Sequence, residues 1–283
     1  RTHLVDLGLA DHLPPQPAVQ RLQDEDVRRL WPRAGRDDSK YSRGVVAIAA
    51  GSTRYPGAAV LACSGAARAG APILVRTIAL RAVLLLTTAT AGLFGPGTLA
   101  AHQIASTIFT FLTFALDAVA IAAQALVGES LGRGDASRTR ELTATLTRWG
   151  WRCGLVGGVA TLVTAWWVPL LFTSDATIAH TTSAALVVIA LVSAPSGVLF
   201  VHDGVLMGAG DGAFLARAQL ALLVGYLPLV WVLSTSRDAV TGWGDAAPLV
   251  AVWVLYALYL LARMAVLDHR RRGTAWMHLE SAG

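Results

Sequence analysis

From residue 72 onward, hydrophobic runs of about membrane-spanning length alternate with short polar connections, and a run of ~20 apolar residues is what a helix needs to cross a bilayer. Six such runs are readable: 72–95, 98–127, 149–173, 182–208, 213–234 and 247–267. The second carries a patterned polar row. Gln103, Thr110, Asp117 and Gln124 recur every seven residues, with Ser106 and Thr113 as a second seven-spaced row beside them, while the remaining positions are almost wholly apolar. On a helix this spacing makes one slowly drifting stripe. An ionised Asp at bilayer depth costs at least ~2.5 kcal/mol even on the lenient insertion scale, so the stripe is expected to face other protein or a watery cavity.

The other runs have their own signatures. In 149–173, Trp149 and Trp151 stand near one end and Trp166 and Trp167 near the other, as interfacial belts require. Gly150, Gly154 and Gly158, spaced by four, predict close packing against another helix. The fourth run holds Ser193, Pro195, Ser196 and Gly197 in its middle and His202 and Asp203 further on. Pro195 is expected to kink it and to free a carbonyl that lipid cannot satisfy, so this part too should face protein. Neighbouring His202 and Asp203 are about 100° apart on a helix and do not pair with each other. In the first run Arg76 is expected to snorkel toward an interface and Arg81 to lie deeper. The stretch between Gly128 and Arg148 reads as a polar loop with a short amphipathic helix.

The first 71 residues break the pattern. They hold 17 charged residues, against 24 in the following 212, which places a domain boundary near residue 71. Residues 1–43 read as a polar, proline-bearing linker, and residues 44–52, GVVAIAAGS, as a short strand ending in a glycine turn before a helix opened by Pro56. The opening has no apolar leader segment and reads as truncated.

Composition supports the membrane reading. Of 283 residues 54% are hydrophobic and 14% charged, and the mean hydropathy is +0.54, too apolar for an ordinary soluble domain. The net charge of +5 is nearly all arginine, with Lys40 the single lysine and no basic stripe interleaved with aromatics, so no nucleic-acid partner is expected. Arg133, Arg138, Arg140, Arg148 and Arg152 flank the second-to-third connection, Arg217 follows the fourth run and Arg270 to Arg272 the sixth, whereas the alternate connections hold only Arg237. The positive-inside rule then puts both ends of a six-helix unit in the cytoplasm. Cys63 and Cys153 make neither a disulfide framework nor a CxxC site, and His180 stands alone in a polar loop, so no metal centre is expected. The glycines of DGVLMGAGDGA lack dinucleotide-binding spacing and no strand precedes them.

Two resemblances sharpen these readings. DDSKYSRGVVAIAAGSTRYPGAAVLACSGAARAGA, at 37–71, resembles the opening of the ADP- or ATP-dependent NAD(P)H-hydrate dehydratase domain, and residues 2–14 the linker preceding it in bifunctional repair enzymes. The resemblance implies a ribokinase-like α/β fold; Gly51, Ser52, Tyr55, Pro56 and Gly57 match its motif. The later nucleotide loop and the rest of the sheet have no counterpart after residue 71, so no catalytic residue is carried over and residues 1–71 are expected to be a non-catalytic, incomplete α/β segment. One strand and one helix cannot bury enough apolar surface to fold alone.

AAHQI at 100–104, DAVAIAAQALVGESLGRGD at 117–135 and DGVLMGAGD at 203–211 together resemble the C-terminal half of the multidrug and toxic compound extrusion (MATE) family, DinF-like branch, over about 72–270. That implies an all-α polytopic membrane protein: one six-transmembrane-helix lobe, residues 72–283, of a plasma-membrane efflux antiporter. The implied partners are the lipid bilayer, a small cationic or amphipathic substrate and a proton or sodium ion as coupling ion, without a cofactor. The implied second wall comes from a missing N-terminal lobe or from a homodimer. Intramembrane ionisable groups mark transport pathways by default, which makes Asp117 and Asp203 the leading candidates, with Gln103, Thr110, Gln124 and His202 as polar company. The alternatives are a cofactor-repair enzyme fragment and a non-functional fusion.

Overall fold

A computed structural model describes residues 56–277, with side chains described from residue 72. The strand expected at 44–52 and the positions Gly51, Ser52 and Tyr55 lie outside the described residues, while Pro56 and Gly57 begin the first helix. By compactness the chain divides into units 1–62 and 63–283, so this division and the boundary expected near residue 71 fall at different places along one helix. All packing described below lies in the second unit.

Every regular element among the described residues is helical: α1 Pro56–Leu93, α2 Pro96–Gly132, α3 Ala136–Thr164, a 3-10 turn at Val168–Leu171, α4 Ala176–Gly208, α5 Gly212–Thr235, the short α6 Arg237–Thr241, and α7 Ala247–Arg272. Local sequence explains the breaks. Gly95 has φ 113°, a backbone value that only glycine adopts readily, and Pro96 sits at the start of α2, where its missing N–H costs nothing. The loop expected after Gly128 shrinks to three residues. Gly134 turns the chain with φ 73°, and the Asp135 side chain accepts from Arg138 N to open α3, so the polar stretch is absorbed into the ends of two long helices. Asp175 opens α4 in the same way, accepting from Thr177 N and Ile178 N.

α4 is the hub, packing against α2, α3 and α7. Of its most apolar window 61% is buried, against 22% for α1 and for α5. The glycines spaced by four do what their spacing predicts. Gly150, Gly154 and Gly158 are all buried and lie against the backbone of α4 at Gly197, Ser193 and Ala190; a Cβ on Gly150 would stand 2.5 Å from the Gly197 carbonyl oxygen, and one on Gly158 2.6 Å from that of Ala190. Further along the same face of α4, Gly204 and Gly208 bring it against the α2 backbone at Ala120 and Gln124. Helices meeting through small residues approach closely enough to gain dispersion contact along their length.

Pro195 lies inside α4, leaving the ladder one donor short. Buried Ser193 and Ser196 donate to the carbonyls of Ile189 and Val192 at 2.6 and 2.8 Å, supplying side-chain donors to the turns around the proline. This part of α4 is buried against α3, as its polarity requires.

Five helical segments are long and apolar enough to cross a membrane: Pro72–Leu93, Pro96–Gly132, Ala176–Gly208, Gly212–Thr235 and Ala247–Arg272. The run expected as a third span is the exception. It is helical only to Thr164, then passes into the 3-10 turn around Pro169, and its glycines and arginines hold its hydropathy down. Trp149, Trp151, Trp166 and Trp167 are all exposed on its outer side, where amphipathic rings suit a membrane interface.

Candidate functional site

The main cavity, of about 490 Å³, opens between α1, α2, α4 and α7. Its floor is an ion-pair cluster. Asp203, on α4, accepts from Arg263 Nη2 at 2.8 Å through Oδ1 and from Arg76 Nη2 through Oδ2. The three side chains are 14%, 9% and 13% exposed, so each charge is largely withdrawn from solvent and relies on the others. The cluster ties α4 to α1 and α7 at once. Asp117 lines the same cavity from α2, with Thr113 and Thr110 one and two turns away and Arg81 on α1 also in the lining.

α7 supplies an aromatic wall. Tyr256 and Tyr259 stack at 5.7 Å between ring centroids, Phe109 of α2 meets Tyr256 edge-on at 5.8 Å, and Trp253 continues the row at 5.7 Å from Tyr256. Such offset and edge-on pairs add about 0.5–1.5 kcal/mol each beyond area burial. Of their polar tips, Tyr259 Oη is satisfied from α5, where buried Gln219 donates to it at 2.6 Å, whereas Trp253 Nε1 is buried without a partner; behind them Tyr226 Oη of α5 lies 2.8 Å from Thr87 Oγ1 of α1. The cavity lining thus combines aromatic faces, two carboxylates and three guanidiniums.

The sequence candidates separate on this frame. Asp117, Thr110 and Asp203 meet at the cavity. Gln103 is exposed beside a shallower crevice that it shares with Ser106 and Thr110, and Gln124 is exposed further along α2. His202 is fully buried but lies outside the cavity lining. Its Nε2 stands 3.4 Å from Thr147 Oγ1 of α3 and its Nδ1 3.9 Å from Asp268 Oδ1 near the end of α7. As expected from their 100° separation, His202 and Asp203 face different neighbours.

Arg76 departs from the expectation that it snorkels to an interface. It turns inward to Asp203 because the carboxylate offers a partner that lipid does not. Arg263 was not anticipated at all, although an arginine inside the apolar run YLLARMAVL is itself the signal. His102 is a second omission: buried on α2, its Nε2 lies 3.2 Å from both Thr88 Oγ1 and Ser106 Oγ, with its ring 5.6 Å from Trp253. Among the described residues no group of three or more His, Cys, Asp or Glu is placed to hold a metal ion.

Six long helices, four of them lining a charged, aromatic cavity and five apolar enough to span a bilayer, make this an all-α polytopic membrane protein. The MatE family model matches residues 72–232, more than half of the sequence, and the chain belongs to that family. Among curated proteins it is 28% identical over 223 residues to Protein DETOXIFICATION 44, chloroplastic, of Arabidopsis thaliana, covering 76% of this chain and 40% of that protein. To Protein DETOXIFICATION 43 of the same plant it is 25% identical, covering 69% and 35%. A separate similarity, 48% identity over 73 residues, is to the Bifunctional NAD(P)H-hydrate repair enzyme Nnr of Mycobacterium leprae, covering 26% of this chain and 15% of that enzyme. The chain thus spans 40% or less of the length of each of these relatives.

Proposed function

We propose that the chain forms one lobe of a membrane efflux transporter that exchanges a proton or sodium ion for small organic cationic or amphipathic compounds. The observation that carries this is the cavity holding Asp117 and Asp203 beside an aromatic wall, since intramembrane carboxylates mark ion and substrate paths and aromatic faces bind cations and flat apolar bodies alike. Thr110 adds a neutral hydrogen-bonding group to the cavity, while Gln103, Gln124 and His202 lie outside its lining and drop out of the proposed path. The opposite wall comes from a second lobe or a second copy of the chain. The proposed location is the plasma membrane, and arginine placement supports an orientation with both ends of the helical unit in the cytoplasm.

Efflux of a fluorescent amphipathic cation from vesicles, driven by a pH or sodium gradient and measured with the chain alone and with a supplied N-terminal lobe, tests this reading. Ion-coupled efflux that survives Asp117→Asn unchanged removes Asp117 from the mechanism, and crosslinking in membranes tests the second copy. Arg76, Arg81 and Arg263 outnumber the two cavity carboxylates, so the compound panel includes zwitterions and anions, and transport confined to those overturns the cationic assignment. The repair-enzyme alternative requires nucleotide-dependent dehydration of hydrated NADH by the full chain; none is expected.

A further inference from the structure

The two cavity carboxylates have different surroundings. Asp203 is bound at both oxygens by guanidiniums, whereas Asp117 has no hydrogen bond or ion pair among the described residues. We propose that Asp117 is the carboxylate that takes up and releases the exchanging cation, and that Asp203 is a positioning residue holding Arg76 and Arg263 as fixed counter-charges beside it. The proposal rests on the transport reading and divides its site into two roles.

A cation bound at Asp203 would cancel the one charge shared by Arg76 and Arg263 and leave two nearly buried guanidiniums facing each other across a neutral group. The same cation at Asp117 leaves the ion-pair cluster intact. The charged and titratable groups facing Asp117 are Arg76 and Arg81 from α1, Asp203 from α4, and Tyr256, Tyr259 and Arg263 from α7; its own helix contributes Thr110 and Thr113. α5 reaches this set through Gln219, which is engaged by Tyr259, and through Tyr226, whose ring centroid lies 5.5 Å from that of Tyr259 and whose Oη is engaged by Thr87.

Arg76 is also only partly used, because its Nε is buried without a partner. When the cation leaves, Asp117 becomes a bare carboxylate in the same cavity as that spare donor. Occupancy of Asp117 therefore sets whether Arg76 holds α1 to α4 alone or to α2 as well, which couples an ion to the spacing of two helices.

Carbodiimide labelling separates the roles, since dicyclohexylcarbodiimide attacks a neutral carboxylic acid in apolar surroundings and spares an ion-paired carboxylate. The full chain in proteoliposomes is labelled from mildly acidic to mildly alkaline pH, with and without sodium, and the sites are read by peptide mass spectrometry. Label is expected on Asp117, rising as pH falls; protection by sodium at fixed pH identifies sodium as the exchanging ion, and its absence identifies the proton. Asp203 stays unlabelled in the wild type and in Arg263→Gln, which leaves Arg76 on its second oxygen, and becomes labelled when Arg76→Gln is added to Arg263→Gln. Labelling of Asp203 as readily as Asp117 in the wild type, or no label on Asp117 at any pH, overturns the proposal whatever the variants do. The expected pattern in a chain that moves no compound removes the transport reading and leaves the division of roles standing.

Discussion

Replacing Gly150 by alanine tests the close α3 to α4 contact with one methyl group. The added Cβ would lie 2.5 Å from the Gly197 carbonyl oxygen, 2.7 Å from Val201 Cγ2 and 3.0 Å from the Gly197 carbonyl carbon. Two of the three are backbone atoms of a buried helix and cannot swing aside. Relief requires the helices to part by about 0.5–1 Å, which forfeits a quarter to a half of the dispersion well for each contact along the seam. Overpacking of this kind costs about 1–3 kcal/mol. The helix itself pulls the other way, since alanine is favoured over glycine by ~0.8–1.0 kcal/mol in a helix interior. Gly225 on α5 isolates that opposing effect, because nothing lies within 4 Å of its added Cβ. Unfolding of the purified full chain in mixed micelles, followed by tryptophan fluorescence, is expected to show Gly150→Ala destabilised and Gly225→Ala neutral or stabilised. Equal shifts of the same sign in both variants would refute the close-contact account.

Further outcomes follow from single contacts. Gln219→Leu removes the donor to Tyr259 Oη from a buried site and should lower stability by about 1–3 kcal/mol, with Tyr259→Phe in the same background recovering part of the loss in a double-mutant cycle. The Asp135 carboxylate is held below its usual range, chiefly by the backbone N–H of Arg138 and then by the Ser137 hydroxyl. Its capping contribution is therefore complete above the ordinary aspartate range and is lost as pH falls through the depressed folded value. Amide exchange in the first turn of α3 should quicken at acid pH in the wild type and at all pH in Asp135→Ala. Gly204→Leu would drive a side chain into the α2 backbone at Ala120; its micelle unfolding should shift further than that of Gly132→Leu, where the added Cβ meets open space.

The helices were legible because apolar runs of spanning length have one economical structure in lipid, and the α3 to α4 seam because glycine spacing names a face without naming its partner. The polar stripe was legible only near its middle. A straight helix drifts ~20° per heptad, so three heptads from Gln103 to Gln124 turn the row by about 60°, enough to keep Thr110 and Asp117 at the cavity while both glutamines swing out. The ion-pair cluster was hidden for a different reason. Arg76, Asp203 and Arg263 are separated by 127 and 60 positions, and periodicity within one helix carries no information about which residue a neighbouring helix presents. Arg263 was nevertheless readable as an intramembrane charge in need of a partner. The early end of α3 was missed because tryptophans and leucines prolong an apolar run past the point where Pro169 stops the helix.

The contrast between α3 and α4 bears on how the protein enters its membrane. α3 leaves the ribosome first, yet it falls short of the apolarity that the other long helices reach, whereas α4 is the most apolar segment and the most enclosed by protein. Lipid alone gives α3 little reason to stay, and the surface it fits is the backbone groove of a helix still to be synthesised. Biogenesis should therefore wait at this pair, with α3 lodged beside the insertion machinery until α4 emerges to dock against Gly150, Gly154 and Gly158, so that two helices separated by a short turn enter the bilayer as one hairpin.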